Sequence, residues 1–408
     1  MLFRNYDVER DKETAHRIWR EIGWLEKGQE EGMDYCVNAG RALVAEINGE
    51  AEALVLTAPG TIRYLEEDLT LGAVTGVTVS RLARKQGIAG RLTAKAIAQD
   101  AEEGALVSGL SMFEQGYYNQ LGFGTGVYEN RLSFDPALLT VQVKARIPRR
   151  LTKDDWEIIH NACLNRMRGH GSCNLLPSDL SRAEIGFSSD TFGLGYFDGE
   201  NGELTHFIWC KEKGESGPYI VYLARYQTHT QFLELIALLK NLGDQVRLIT
   251  LREPPNIQLQ DLIRQPFKHR QVSKKSEFES GSWSNAYWQL RMNDIPGCLA
   301  KTHLEGKALR FQLHLTDPIE TLLDSEQCWR GTSGDYIVTL GEESSATLGS
   351  DASLPDLKAT TNAFSRLWLG VRPATGLAVT DHLSGSPELL AQLDKTLRLP
   401  TPRFDWEY

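Results

Sequence analysis

Apolar and polar residues along the first 142 positions alternate with the periods of short strands and amphipathic helices. Asn48 and Gly49 separate two apolar runs, which is typical of a tight hairpin turn. Gly104 follows a helical pattern that starts near Ile88, and glycine is the usual residue just after a helix. The predicted elements are strands at 2–8, 69–79, 105–112 and 127–134 (the last closing the sheet), a hairpin at 41–57, and helices at 11–24, 88–103 and 116–123.

The order of elements repeats faintly over a second segment and changes in a third. The second segment is predicted to contain helices at 152–166 and 229–243, a hairpin at 194–212, and strands at 218–226 and 245–253. The polar stretch 271–285 is typical of a linker. Beyond it, the pattern predicts helices at 286–301, 360–371 and 386–399 and a strand at 310–317. The chain is therefore predicted to be mixed α/β (α+β), with three domains at 1–142, 143–284 and 285–408.

Composition narrows the classes of function. The chain has 408 residues and a net charge of −10, which argues against a nucleic-acid-binding protein, since such proteins carry a basic face. The six cysteines are scattered and no histidine pair has metal-ligand spacing, so we expect reduced thiols and no metal. The charged N-terminus and the lack of long apolar runs predict a cytoplasmic protein without a signal peptide or membrane partner.

One junction between strand and helix carries candidate chemistry. Basic residues and a glycine stand where the strand ending at Val79 gives way to a helix. The mouth of a helix offers unpaired N–H groups and partial positive charge, and glycine lets a phosphate approach the backbone. A pyrophosphate site is thus one interpretation, and an ordinary helix start with solvated basic residues is the other. The candidate residues are Val77, Thr78, Val79, Arg84, Lys85, Gly87, Ile88 and Ala89.

About 30 residues later, Tyr118 precedes Gly122 and Phe123 in "YYNQLGF". A strand, Arg-x-x-Gly-x-Ala, a helix, a strand and then Tyr-x-x-x-Gly-Phe resembles the GNAT superfamily of acetyl-CoA-dependent N-acetyltransferases. Further along, "WQLRMNDIP" opens the third segment, and the chain ends in "PRFDWEY". With these features the whole chain resembles the Eis (enhanced intracellular survival) family.

The resemblance implies two tandem GNAT-like domains, the second degenerate, followed by a domain like sterol carrier protein. It implies acetyl-CoA as co-substrate, held by the strand at Val77–Val79, whose backbone N–H would also stabilise the oxyanion. It implies Tyr118 as general acid and the terminal carboxylate of Tyr408 as base. It also implies a homo-hexamer. The second segment lacks the Arg-x-x-Gly-x-Ala pattern where its strand meets its helix, which predicts one active site in each chain.

The sequence says less about the amine that accepts the acetyl group than about the coenzyme site. The resemblance places the substrate cleft near "REIGWLEKGQEEGMDY", where carboxylates alternate with aromatic residues and suit a cationic amine. The candidates are Trp24, Glu26, Asp34 and, at the tail, Glu407. An aminoglycoside or polyamine, a protein lysine, and a non-enzymatic lipid or small-molecule carrier role through the third domain remain open as alternatives.

Overall fold

The computed structural model describes residues 1–112, 114–187, 189–266 and 275–406. The helices are α1 (Val8–Ile22), α2 (Glu30–Asn38), α3 (Ile88–Glu102), α4 (Gln115–Asn119), α5 (Trp156–Leu164), α6 (Ser178–Phe187), α7 (His229–Asn241), α8 (Ile295–Ala300), α9 (Thr361–Trp368), α10 (Ala374–Thr380) and α11 (Pro387–Thr396). The strands are β1 (Leu2–Asn5), β2 (Arg41–Ile47), β3 (Glu50–Tyr64), β4 (Glu67–Val79), β5 (Val107–Ser111), β6 (Gly124–Thr125), β7 (Glu129–Phe134), β8 (Arg149–Leu151), β9 (Cys173–Leu175), β10 (Thr191–Tyr196), β11 (His206–Lys211), β12 (Tyr219–Arg225), β13 (Ile249–Arg252), β14 (Gly281–Asn285), β15 (Trp288–Met292), β16 (Leu309–Thr316), β17 (Gly334–Leu340), β18 (Ser345–Leu348), β19 (Asp356–Thr360) and β20 (Leu383–Gly385).

These elements form two compact units. The first unit contains residues 1–127, 169–177 and 286–408, and the second contains 128–168 and 178–285. The mixed α/β fold class is confirmed. The division into three domains at 1–142, 143–284 and 285–408 stays a prediction.

The first unit contains an eight-stranded sheet in the order β1-β2-β3-β4-β5-β15-β6, with β9 paired to β3. Of the pairs in this sheet, only β4 and β5 run parallel. The predicted hairpin turn is present between β2 and β3, where Asn48 and Gly49 both have positive φ. The same unit also holds a five-stranded sheet in the order β18-β17-β16-β19-β20.

Helix α3 packs against the eight-stranded sheet through small and aliphatic side chains. Ile88 and Leu92 join a buried cluster with Leu43 and Val55 of β2 and β3. A helix face rich in alanine lets the backbone lie close to the strands, so the start of α3 is fixed relative to the end of β4. As predicted, the helix ends just before Gly104, which has a φ of 96°.

The second unit is built on a seven-stranded sheet in the order β14-β7-β13-β12-β11-β10-β8. Helix α7 covers it, and Phe232, Leu235 and Ile236 share one buried cluster with Leu132 and Phe134 of β7. The predicted hairpin of this segment is present as the antiparallel pair β10 and β11.

Three sequence predictions were wrong, each because strand pairing depends on distant partners. The strand predicted at 127–134 to close the first sheet is β7, which instead pairs with β13 and β14 in the second unit. The predicted linker 271–285 contains β14, although residues 267–274 lie outside the described part. The helix predicted at 286–301 is the strand β15 followed by the short helix α8, and β15 lies between β5 and β6.

Candidate active site

The parallel strands β4 and β5 separate before β4 ends. Their pairing runs from Leu71 opposite Val107 to Val74 opposite Leu110, whereas β4 continues to Val79. An irregularity in the β3–β4 register at the same level leaves one extra residue, Thr75, in β4. Irregularities of this kind often end strand pairing next to active sites. In the described part of the chain, the last five residues of β4 therefore have no strand partner on the side of β5.

The start of α3 lies just beyond the open end of β4. A single 3₁₀ turn, Arg81–Ala83, separates β4 from the loop that carries Arg84 and Lys85, both of which are exposed. Gly87 is the N-cap residue, with φ 70° and ψ 7°, and no side chain of the described residues caps the helix. No acidic residue stands in the first turn, and a Cβ on Gly87 would lie more than 4 Å from every described atom outside its own neighbours.

The first backbone N–H groups of a helix have no acceptor inside the helix. In α3 these include the N–H groups of Ile88 and Ala89, where the partial positive charge of the helix is concentrated. The side chain of Ile88 is buried in the core and anchors the first turn, while Ala89 is half-buried. This helix start is thus an open cationic concavity of the kind that binds anions.

The second unit has no such opening at its corresponding helix. Thr228 caps α7, where its side chain accepts from the N–H of Gln231 at 3.2 Å. The Gln231 side chain in turn accepts from the N–H of Thr228 at 3.0 Å. This reciprocal pair satisfies the N–H groups of Thr228 and Gln231, and so gives α7 the side-chain cap that Gly87 cannot give α3.

The strand residues predicted to bind the cofactor have their side chains committed to packing. Thr78 is buried, and its hydroxyl donates to the carbonyl of Leu54 at 3.3 Å. Val77 and Val79 are half-buried and pack on the cluster beneath β2 and β3. Their backbone groups on the side of β5 are therefore the part of these residues available to a ligand.

Tyr118 is placed beside the point where the strands separate. It lies on α4, whose N-terminus is capped by the carboxylate of Glu114. Its side chain is 5% exposed and packs with Val74, Leu110 and Phe123. Burial, together with the nearby charge of Glu114, raises the pKa of Tyr118 to about 12. The phenol is therefore protonated at neutral pH and able to donate a proton.

The described end of the chain is buried in the first unit. Phe404 and Trp406 are 0% and 1% exposed, and the ring of Phe404 stacks on Trp288 of β15 with centroids 5.3 Å apart. A Cβ on Gly109 of β5 would lie 2.8 Å from Cζ of Phe404, so β5 has a glycine where the tail crosses it. The thiol of Cys173 points at the carbonyls of Phe404 and Trp406, at 3.6 and 3.7 Å.

The tail and Tyr118 lie on opposite faces of the eight-stranded sheet. Successive side chains of a strand point to opposite faces. Leu110 packs with α3 and Tyr118, whereas the neighbouring position, Gly109, faces Phe404. The gap between β4 and β5 thus has a protonated phenol on one face and the tail of the chain on the other.

Glu407 and Tyr408 lie outside the described residues. The roles predicted for the Tyr408 carboxylate and for Glu407 therefore stay predictions. Only the approach of the chain towards the site, as far as Trp406, is described.

The predicted substrate residues differ in their availability. Trp24 is 43% exposed and stacks edge-on against Trp19, and Glu26 is exposed. Asp34 is half-buried, and its carboxylate accepts from Nζ of Lys12 at 2.7 Å and from Nε2 of His16 at 2.8 Å. Asp34 therefore joins α1 to α2, and its negative charge is largely neutralised.

A cluster of possible metal ligands lies in the second unit. Asp198, His206 and Glu234 bring their ligand atoms within 4.8 Å of one another. The guanidinium of Arg146 binds both carboxylates, at 2.6 Å from Asp198 and 2.8 Å from Glu234. The Arg146 guanidinium already neutralises the negative charge of this cluster, so we interpret the cluster as an ion-pair network.

In the described ranges, no helix has the length and apolar character needed to cross a membrane.

Sequence reasoning missed the residues that hold this site in place. The stretch "WQLRMNDIP", which contains Trp288, Gln289 and Arg291, was interpreted only as the start of the third segment, and Asn362 was interpreted only as part of the helix predicted at 360–371. The available signal was the alternation of Trp288, Leu290 and Met292, which has the two-residue period of a strand.

One family model matches part of the first unit. Residues 9–126 match the family model described as the acetyltransferase (GNAT) domain. No curated protein sequence matches the chain.

Solved structures resemble the chain over its full length. A probable N-acyltransferase from Enterococcus faecalis V583 has a TM-score of 0.79 at 16% identity, covering 100% of this chain and 99% of that one. Eis1 from Mycobacterium abscessus has a TM-score of 0.76 at 16% identity, covering 100% of both chains. A GCN5-related N-acetyltransferase from Kribbella flavida has a TM-score of 0.73 at 18% identity, covering 100% of this chain and 98% of that one. The TM-scores establish a shared fold, and at these low identities the structures show the fold alone. The family match establishes the domain. The chain therefore carries an acetyltransferase domain of the GNAT type at residues 9–126 and is an enzyme of the N-acetyltransferase class.

Proposed function

We propose that this enzyme transfers the acetyl group of acetyl-CoA to an amine of a cationic small molecule, at the gap between β4 and β5. The observation that supports this most directly is the position of the uncapped start of α3 at the open end of β4. One end of that gap suits a diphosphate, and Tyr118 borders its other end.

The residues present fit the coenzyme. Arg84, Lys85 and the N–H groups of Ile88 and Ala89 would hold the pyrophosphate, and Gly87 leaves room for it. The unpaired backbone edge of Val77–Val79 would bind the pantetheine arm as an added strand would. When bound, acetyl-CoA supplies an acetyl group activated as a thioester.

Three groups of the chain carry the proposed steps: one stabilises the oxyanion and two transfer protons. A backbone N–H within Val77–Val79 stabilises the oxyanion that forms as the amine attacks. Tyr118 holds a proton at its hydroxyl oxygen and gives it to the departing sulfur. The Tyr408 carboxylate takes a proton from the attacking amine. A base is needed because alkyl amines have a pKa of about 10 and are mostly protonated at neutral pH.

The acceptor's charge is inferred from two exposed residues. Trp24 and Glu26 offer an aromatic face and a carboxylate to a cation, which together favour a small cationic amine. Asp34 contributes less than its charge suggests, because Lys12 and His16 already bind it. Glu407 would add a second carboxylate beside the base.

Two further expectations accompany this proposal. The fold similarity to Eis1 is consistent with membership of the Eis family, with a third domain like sterol carrier protein. A hexamer is expected from that resemblance. Sedimentation of the purified chain tests the hexamer independently of catalysis.

A thiol-release assay with the untagged chain tests the proposed function. We expect coenzyme A and acetylated amine to form in equal amounts with an aminoglycoside or a polyamine as acceptor. Release with a lysine peptide alone would favour the protein-acetyltransferase alternative. No release above the rate of acetyl-CoA hydrolysis, with any amine class, would contradict the proposal.

A further inference from the structure

The turn that carries Tyr118 is held from outside by the segment 286–408. Helix α4 has five residues, which is too short to be stable alone, since isolated helices below about 12 residues are marginal in water. Its position must therefore come from tertiary contacts. Three side chains of the first unit, on β15 and α9, supply them.

Gln289 and Asn362 bind backbone and side-chain groups of residues that follow Tyr118 in the chain. The side-chain amides of Gln289 and Asn119 lie 2.8 Å apart, and Gln289 Nε2 also donates to the hydroxyl of Thr125 at 3.0 Å. Asn362 Nδ2 donates to the carbonyls of Asn119 at 2.8 Å and Phe123 at 3.0 Å. The part of the turn that follows Tyr118 is thus held by amide donors.

Arg291 holds the middle of the turn. It is fully buried, and its Nη1 donates to the carbonyl of Leu121. Its Nη2 binds the equally buried Asp317 carboxylate at 2.6 Å, and its guanidinium lies over the ring of Trp329 at 5.0 Å. A buried ion pair offsets its desolvation cost only when the remaining donors of the pair also form hydrogen bonds. Arg291 uses one of these donors to bind the turn.

The turn itself is shaped to receive Arg291. Gly122 has a φ of 81°, a conformation that side chains rarely adopt. A Cβ there would lie 2.7 Å from Nη1 of Arg291 and 2.9 Å from Oδ1 of Asp317. The guanidinium therefore reaches the turn only because residue 122 has no side chain.

We propose that Gln289, Arg291 and Asn362 form a clamp that positions Tyr118 for proton donation, an inference that rests on the proposed function. The clamp contacts carbonyl and amide groups around Tyr118 and none of its donors bonds to the phenol itself. Its members are thus positioning residues. An error of about 1 Å in placing a catalytic group can cost about 100-fold in rate.

Asn362→Ala tests the clamp with the least disturbance, because Asn362 is only half-buried. We expect kcat to fall about 10-fold or more, with the KM for acetyl-CoA within about twofold of wild type, because orientation is lost and binding is not. Hydrogen exchange of the amides in 115–123 should become faster in the same variant. Gln312→Ala is the matched control, since Gln312 is a buried glutamine whose side chain bonds to the backbone of Gly349 and Asp351, beside the five-stranded sheet.

A double variant separates positioning from general structure. In a Tyr118→Phe background, Asn362→Ala should lower the remaining activity by less than about twofold, because the group that it positions is gone. An equal loss in both backgrounds would overturn the clamp. Gln289→Leu provides a second member to test should Asn362→Ala fail to fold.

The two proposals fail in different ways. A wild-type chain that releases no thiol contradicts the proposed function, whatever the exchange data show. A wild-type chain that is active, together with an Asn362→Ala variant unchanged in kcat and in exchange at 115–123, contradicts the clamp alone.

Discussion

Replacing Tyr118 with phenylalanine should reduce kcat by about 100- to 10,000-fold, the range usual for a general acid. The Kd of acetyl-CoA should change little, because the groups proposed to bind it lie on β4 and at the start of α3. The fold should also persist, since only an oxygen is removed from a side chain packed among Val74, Leu110 and Phe123. Steady-state kinetics with calorimetric titration of acetyl-CoA measures both quantities.

Tyr117→Phe is the matched control for this variant. Tyr117 adjoins Tyr118 on α4, with ring centroids 4.9 Å apart, and burial raises its pKa as well. It has no role in the proposed mechanism, so kcat should stay within about threefold of wild type. Equal activity of wild type and Tyr118→Phe would refute the assignment of the acid.

The assignment of Tyr118 as the general acid also predicts how kcat depends on pH in the alkaline range. Proton donation by Tyr118 is available below its pKa and lost as the pH rises through about 12. No decline in kcat due to this phenol is therefore expected between pH 7 and about 10, where an exposed tyrosine would already titrate.

Adding one glycine after Tyr408 should reduce turnover by at least about 100-fold, because the terminal carboxylate is the proposed base. The extra residue moves that carboxylate by up to about 3.5 Å. Thermal stability should be unchanged, because Phe404 and Trp406, which anchor the tail, remain in place. Thiol release and a thermal melt on the same preparation measure the two effects.

Tyr408→Phe is the control for the extended chain. It keeps the terminal carboxylate and an aromatic ring, and it removes only the hydroxyl. We expect it to retain activity, which separates the main-chain carboxylate from the side chain. Full activity of the extended chain would exclude the terminus as the base.

Patterns confined to neighbouring residues predicted much of the first sheet. The hairpin at Asn48–Gly49 and the helix from Ile88 to just before Gly104 follow from turn and cap preferences that act within a few residues. The loop at Arg84 and Gly87 was recognised for the same reason. The sequence did not predict that α3 lacks a capping side chain among the described residues, because this depends on the hydrogen bonds at the helix start.

The remaining errors concern contacts between residues far apart in sequence. Gln289 and Arg291 are polar, and their mixture with apolar neighbours favoured an amphipathic helix over a strand. Both are fully buried in β15, where Arg291 donates to the carbonyl of Leu121 in the Tyr118 turn and Gln289 donates to the hydroxyl of Thr125 in the neighbouring strand β6. The alternation of Trp288, Leu290 and Met292 was a local signal for the strand. A polar residue buried by a distant partner leaves no such signal, so the clamp was not predictable from spacing.

Binding of acetyl-CoA to a chain with an altered start of α3 tests the central claim most directly. Gly87→Asp places a carboxylate in the proposed anion site, and Gly104→Asp imposes similar backbone strain at the other end of the same helix. In calorimetric titrations, wild type and Gly104→Asp should bind with similar Kd, and Gly87→Asp should bind at least about 10-fold more weakly, a loss of about 1.4 kcal/mol. Equal affinity of all three chains for acetyl-CoA would contradict the account.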